Sequence, residues 1–202
     1  MPTRKAPTRD QRRARTRQEL LDAAERRFTR DGFHATAIDA VADDAGYTSG
    51  AVYSNFASKE DLFLAVYERR VDSAIPEVQA AIDAADDPAR AIERLTLEAT
   101  ARRAHEDGWL AVFFEFWAHA LRDPELRARF AAHHARALEP LVAATADAFA
   151  QRGAEPYEEP RKLTTAWNAM HLGLLLERLT RPDVVDETLA ARMMRRAFAF
   201  AG

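Results

Sequence analysis

Apolar residues recur three and four positions apart along most of the chain, and no stretch alternates apolar and polar residues with a period of two. The first spacing is that of one helix face, whereas period-two alternation is typical of half-buried strands. The 202 residues include only 7 glycines and 9 prolines, which is few for a turn-rich barrel or sandwich. The sequence therefore predicts an all-α fold.

The composition also excludes several kinds of site. The chain has no cysteine, which rules out disulfides, thiol catalysis and cysteine-based metal sites. Among the six histidines, His133 and His134 are adjacent and so point about 100° apart on a helix. We expect no metal and no cofactor. No apolar run approaches the roughly 18 residues of a membrane span, and no secretory signal is evident, so we expect a soluble cytoplasmic protein.

Three short motifs divide residues 16–62 into helices. Thr16-Arg-Gln-Glu19, Thr36-Ala-Ile-Asp39 and Ser58-Lys-Glu-Asp61 have the spacing of capping boxes. Gly46 is typical of the left-handed residue after a helix, and Thr48 is typical of an N-cap before a short helix. This pattern predicts a three-helix helix-turn-helix domain over residues 16–62, followed by a larger helical domain over residues 63–202.

Charge is concentrated at the start of the chain. Residues 1–30 hold ten basic and four acidic side chains, a net charge of +6. The whole chain has a net charge of −3, so the residues after position 30 carry −9. A basic segment on an acidic body indicates contact with a polyanion, most simply nucleic acid. We interpret residues 1–15 as a flexible basic arm; the alternative is a solvated tail without a partner.

The short helix after Thr48 is the candidate reading element. Val52 and Phe56 lie four positions apart and face inward, which leaves an outer face of small and polar residues suited to a major groove about 12 Å wide. Gly50 costs about 1 kcal/mol relative to alanine inside a helix, and its missing side chain lets the backbone approach DNA closely. The predicted contacts to bases or phosphates are Thr36, Thr48, Ser49, Gly50, Ala51, Tyr53, Ser54, Asn55 and Lys59. Taken singly, Thr36 and Thr48 are equally explained as helix caps, and Tyr53 as a packing residue.

Residues 36–62, read as TAIDAVADDAGYTSGAVYSNFASKEDL, resemble the DNA-binding signature of tetracycline-repressor (TetR) family regulators. The shared positions are the Ala45-Gly46 turn, Gly50, Tyr53, Phe56, Lys59-Glu60 and Leu62. The departures are Tyr47 for the usual small aliphatic residue, Ser49 for a frequent lysine, Ser54 for a frequent aromatic residue and Asn55 for a common histidine. The resemblance implies an all-helical C-terminal domain that dimerises and often binds a small effector.

Two stretches of that C-terminal domain are candidate sites. Aromatic residues crowd the predicted helix 109–122, where Trp109, Phe113, Phe116, Trp117 and His119 could line an apolar effector pocket. The alternative is that these residues are plain core. The last two helices could form a four-helix dimer interface through Trp167, Met170, His171, Leu174, Met194 and Phe198. The alternative there is burial within one monomer.

The sequence therefore predicts a homodimeric regulator that binds double-stranded operator DNA, most simply a repressor released by a small apolar effector. A dimer also fits palindromic half-sites one helical turn apart. No triad, paired-carboxylate, P-loop or dinucleotide-binding spacing is present, so we do not expect an enzyme. The alternatives are an architectural, nonspecific DNA binder and, more remotely, an all-helical enzyme.

Overall fold

The computed structural model describes residues 8–83, 107–151, 153, 155–186, 188, 189, 192 and 193, and all regular elements in these ranges are α-helices. They are α1 (Arg9–Asp31), α2 (Ile38–Ala45), α3 (Ser49–Tyr53), α4 (Lys59–Asp83), α5 (Asp107–Ala120), α6 (Pro124–Gln151) and α7 (Pro160–Thr180). The all-α prediction is confirmed. Within the described ranges, no helix is long and apolar enough to span a membrane.

The N-cap of helix α1 lies eight residues earlier than predicted, so residues 9–15 are helical and not a flexible arm. Thr8 is the N-cap: its hydroxyl accepts from the Gln11 backbone N–H at 3.2 Å, and its own N–H donates to the Gln11 side chain at 2.8 Å. This reciprocal pair is a complete capping box. The motif predicted at Thr16 lies inside the helix instead, because the earlier box already starts it. Residues 1–7 lie outside the described residues.

The turn between α2 and α3 forms as predicted. Gly46 adopts the left-handed conformation (φ 73°, ψ 30°) that ends α2, and the Thr48 hydroxyl accepts from the Ala51 N–H at 3.4 Å as the N-cap of α3. The cap predicted at Thr36 is wrong. The N-cap of α2 is Ala37, without a side-chain cap, and the Thr36 hydroxyl donates to the Gly32 carbonyl at 2.6 Å.

Most of helix α5 and the start of α6 belong with the N-terminal helices. The chain divides into two compact units, and Ala111–Phe130 groups with the residues up to Arg69. We call the described residues 8–69 and 111–130 the N-terminal unit. Its largest fully buried side chains are Leu20, Phe28, Phe33, Val41, Val52, Leu62, Phe63, Val66, Val112 and Phe116. This unit extends beyond the predicted 16–62 because Val112 and Phe116 of α5 are buried in its core and add apolar surface to it.

The second unit contains the described residues 70–83, 107–110 and those from 131 onward. Within it, Leu163, Leu172 and Leu175 of α7 are buried. The buried hydroxyls of Thr145 and Thr164 lie 3.0 Å apart, and Thr145 donates to the Leu141 carbonyl at 2.8 Å. Since that hydrogen is used, Thr164 is the donor in the pair, and both hydroxyls are satisfied across the two helices.

Candidate nucleic-acid interface

Helix α3 lies at the surface with its apolar side turned inward. Val52 is buried, as is Phe56 just beyond the helix, whereas Tyr53 is 56% exposed and Thr48 and Gly50 are exposed. The outward face predicted for this helix is therefore present. Small residues on such a face leave room for the backbone itself to approach a duplex.

Nothing inside the described chain requires glycine at position 50. The residue has no positive φ, and a Cβ added there would meet the Thr48 hydroxyl oxygen at 3.7 Å, an ordinary van der Waals distance. Alanine would fit and would favour the helix by about 1 kcal/mol. Glycine at this exposed position therefore leaves the backbone open to approach from outside.

Three of the predicted DNA contacts donate their hydrogens within the protein. The Ser49 hydroxyl donates to the Asp39 carboxylate, which ties the start of α3 to α2. The Ser54 hydroxyl and the Asn55 amide both donate to the Ala51 carbonyl, at 2.9 and 2.8 Å. Carbonyls in the last turn of a helix lack backbone partners, which explains these two bonds. Each of these three side chains must break an internal hydrogen bond before it can donate that hydrogen to a DNA base.

Lys59 has an internal role that sequence alone does not indicate. Its ammonium lies 3.0, 3.2 and 3.2 Å from the carbonyl oxygens of Phe33, His34 and Thr36, and 4.7 Å from the centre of the Phe33 ring. An ammonium has three hydrogens, and three carbonyls accept them. Thr36 is only 2% exposed. This geometry does not favour the phosphate contacts predicted for Lys59 and Thr36; both residues organise the α1–α2 turn.

Glu115 of α5 holds the same turn from the other side. Its carboxylate accepts the backbone N–H groups of Phe33 and His34, each at 2.8 Å. Gly32 has φ 84°, and a Cβ there would come within 2.7 Å of a Glu115 carboxylate oxygen. The positive φ favours glycine here, and a Cβ would also force the Glu115 carboxylate to shift. Lys59 and Glu115 thus satisfy the carbonyls and the amides of one turn.

The aromatic residues proposed for an effector pocket divide between the two units. In the N-terminal unit, the Phe116 ring stacks on Phe63 with centroids 4.1 Å apart, and Phe113 is also buried. Trp117 and His119 are half-buried, and His119 Nε2 lies 3.5 Å from the Glu60 carboxylate. Trp109 belongs to the second unit, where the Arg70 guanidinium lies 4.5 Å from its ring centre. This placement favours the plain-core alternative for Phe113 and Phe116.

The apolar face predicted for dimerisation differs from the exposed face of α7. His171 is only 3% exposed and stacks on Trp167 at 5.7 Å, and Met170 and Leu174 are half-buried. The exposed residues of α7 include a stripe of small and apolar side chains, Ala166, Ala169, Gly173 and Leu176. His171 is therefore covered by its own chain and is unsuited to a partner. Met194 and Phe198 lie outside the described residues.

A long-range ion pair that sequence reasoning missed joins α1 to α2. The Arg27 guanidinium donates two bonds to Asp44, at 2.5 and 2.6 Å. The hydrogen bond from Arg27 lowers the pKa of the Asp44 carboxyl and also raises the pKa of Arg27. Seventeen residues separate the pair, so no local spacing rule identifies it. Within the described ranges, no cluster of three or more side chains suited to a metal is found.

Family models match both halves of the chain. Residues 20–66 match the model of bacterial regulatory proteins of the tetR family, and residues 88–199 match the C-terminal model of BetI-type transcriptional repressors. The second match alone spans more than half of the chain.

Individual relatives agree with these models. FasR, a transcriptional activator of Mycolicibacterium smegmatis, is 40% identical over 74 residues, which are 37% of this chain and 32% of FasR. The regulator AcrR of Shigella flexneri is 43% identical over 53 residues, 26% of this chain and 25% of AcrR. The chain thus spans less than two thirds of these curated relatives. The structure of FadR from Bacillus subtilis in complex with stearoyl-CoA has a TM-score of 0.72 at 15% identity, covering 89% of this chain and 95% of FadR, which shows a shared fold. The chain belongs to the TetR family of bacterial regulatory proteins.

Proposed function

We propose that the protein is a homodimeric transcriptional repressor that binds a two-fold symmetric operator through α3 and is released by a small, largely apolar effector. The observation that carries the proposal is the outer face of α3, where Gly50 is exposed although no internal contact requires glycine. Exposed Thr48 and Tyr53 flank it and can contact phosphates, while Ala51 can meet a thymine methyl group. Action on operator DNA would place the protein in the cytoplasm.

A second copy of the chain is the proposed occupant of the exposed stripe on α7. Ala166, Ala169 and Gly173 are small enough for two helix backbones to approach closely, and Leu176 is 45% exposed. A two-fold operator requires two recognition helices about 34–36 Å apart, which one chain does not provide.

Gly173 offers a clean test of this interface, because a Cβ there would meet no described atom within 4 Å. Gly173→Arg should therefore leave the monomer folded but place a bulky charge in the dimer contact. We expect light scattering to show a dimer for the wild type and a monomer for Gly173→Arg, with operator affinity lost in parallel. A dimeric Gly173→Arg variant would refute this face as the interface.

The effector is proposed on the match to BetI-type repressors and on the FadR structure, which contains stearoyl-CoA. Within the N-terminal unit, half-buried Trp117 and His119 are the candidate contacts, whereas buried Phe113 and Phe116 would act by supporting them. An effector can release DNA only by its own preference for a state that binds DNA poorly. Effector binding must therefore weaken operator affinity by the same factor that DNA weakens effector binding.

Selection from a random-sequence duplex library tests the proposed function. The wild-type chain should enrich a palindromic duplex and bind it at least about 10³-fold more tightly than a scrambled duplex. Placed across a promoter, the enriched duplex should lower reporter expression in the presence of the protein. Increased expression would indicate an activator, as FasR is described. Equal binding to enriched and scrambled duplexes would indicate an architectural DNA binder.

A further inference from the structure

Three residues of α1 contact the segments on either side of the recognition helix. We propose that Thr16, Arg17 and Glu19, here called the α1 clamp, position α3 and thereby determine how specifically the protein binds its operator. The inference rests on the proposed function, since it concerns how α3 is aimed at DNA. The residues of the clamp are positioning residues that need not touch the duplex.

The first contact is made immediately before α3. The Tyr47 hydroxyl donates to the Glu19 carboxylate and accepts from the Thr16 hydroxyl at 3.2 Å. Tyr47 directly precedes Thr48, the N-cap of α3. A small aliphatic residue, usual here in the family that the sequence resembles, could make neither bond. This connection therefore depends on the tyrosine at position 47.

The second contact is made just after α3. Arg17 Nη1 donates to the Asn55 carbonyl oxygen at 3.3 Å, and the Arg17 guanidinium lies 4.3 Å from the centre of the Phe56 ring. Phe56 is buried, so the ring that Arg17 covers is itself fixed in the core. Cation–π stacking and a charge-assisted hydrogen bond act on the same short segment.

The length of α3 makes these contacts important. The helix has five residues, and among them only Val52 is buried. A helix this short is not stable by itself, so its direction depends on what holds its two ends. Base contacts in the major groove demand hydrogen-bond geometry, and a small tilt of α3 would weaken them while leaving phosphate attraction unchanged.

Arg17 also belongs to the basic segment that sequence analysis assigned to polyanion contact. Its guanidinium is instead engaged by Asn55 and Phe56. A phosphate contact and a positioning role predict different behaviour as salt is raised. Loss of one phosphate contact weakens binding to all sequences and lowers the slope of log affinity against log salt by about 1. Loss of positioning weakens only the specific complex and leaves that slope unchanged.

The test uses the full-length chain and two duplexes, the one most enriched by the wild type and its scrambled version. Tyr47→Phe removes only the hydroxyl, and Arg17→Met removes the charge and the donors while keeping a long stem. We expect each to lower affinity for the enriched duplex by roughly fivefold or more, with unchanged affinity for the scrambled duplex and an unchanged salt slope. Arg13→Met is the matched control, because Arg13 is exposed and lies one turn earlier on α1. Arg13→Met should lower the affinity for both duplexes equally or leave both unchanged.

The outcomes separate the inference from the proposed function. If Arg17→Met weakens both duplexes alike and lowers the salt slope, Arg17 is a phosphate contact and the clamp is refuted. The same follows if Tyr47→Phe and Arg17→Met both bind like the wild type. Circular dichroism monitors folding, and Tyr47→Phe alone decides the question if Arg17→Met unfolds. A wild-type chain that enriches no duplex refutes the proposed function itself, and the inference falls with it.

Discussion

Replacing Phe116 by alanine should destabilise the N-terminal unit strongly. The side chain is 0% exposed, and its ring packs on Phe63, Phe33 and Phe130 with centroids 4.1, 5.0 and 5.7 Å away. Phenylalanine-to-alanine changes at such sites cost about 3–5 kcal/mol of stability. The variant loses the transfer free energy of the removed ring and also pays the free energy of the cavity that remains. For a chain of this size, that is a fall in Tm of about 6–20 °C.

Urea and thermal unfolding followed by circular dichroism measure the effect. Phe116→Leu is the control, since it keeps most of the apolar volume and should lose about 1 kcal/mol. A Phe116→Ala variant within about 1 kcal/mol of wild type would refute the core assignment, because a large cavity would have cost more. If such a stable variant also failed to respond to effector, Phe116 would belong to the pocket instead.

Three further predictions address single residues. Gly50→Ala should leave the free energy of unfolding equal or up to about 1 kcal/mol higher, while operator affinity falls about tenfold or more because the added methyl faces DNA; unchanged affinity would contradict a close approach. Lys59→Met should lower the free energy of unfolding by about 1–3 kcal/mol, because it leaves three carbonyls unpaired. It should not change the salt dependence of DNA binding. A slope of log affinity against log salt reduced by about 1 would show that Lys59 contacts a phosphate. Burial lowers the pKa of His134, so the unfolded chain binds the proton more readily and stability should fall as pH drops below about 6.5. The free energy of unfolding in urea, plotted against pH, should fall less in acid for His134→Gln than for His133→Gln. Equal curves would contradict the lowered pKa of His134.

Local signals were sufficient for the helix-turn-helix itself. Gly46 and Thr48 act through their own backbone conformation and one nearby hydrogen bond, so their roles can be predicted from a few residues. The start of α1 was predicted too late because local spacing alone offers two possible caps. Two segments satisfy capping-box spacing, and the one at Thr8 begins the helix, which leaves Thr16 within it.

Contacts between distant segments could not be predicted. Glu115 binds the α1–α2 turn from 82 residues away, and Lys59 reaches it from a separate helix. Which helix faces this turn is decided by how Phe116 and Phe33 pack, a tertiary property without a sequence spacing. Thr36 shows the converse case, since a spacing that fits a cap is overridden by a hydrogen bond to the preceding turn.

The orientation of α7 was ambiguous from its sequence. Between residues 166 and 176, the side with Trp167 and His171 and the side with Ala166 and Gly173 both have helical spacing and no charged residue, so either could face inward. The larger side chains pack within the chain because they bury more apolar surface there. The smaller ones remain outside, where close helix approach is their advantage. Hydrophobicity alone therefore does not decide which side of α7 faces a partner.

Methylation protection of the enriched duplex tests the central claim most directly, because it reports on guanine N7 atoms in the major groove. If α3 of each subunit reads one half-site, protected guanines should form two clusters related by a two-fold axis. Their centres should lie about 10–10.5 base pairs, or a multiple of that, apart on one face of the duplex. Guanines left fully reactive throughout a bound duplex, or a single cluster without symmetry, would contradict the assignment of α3 as the reading element.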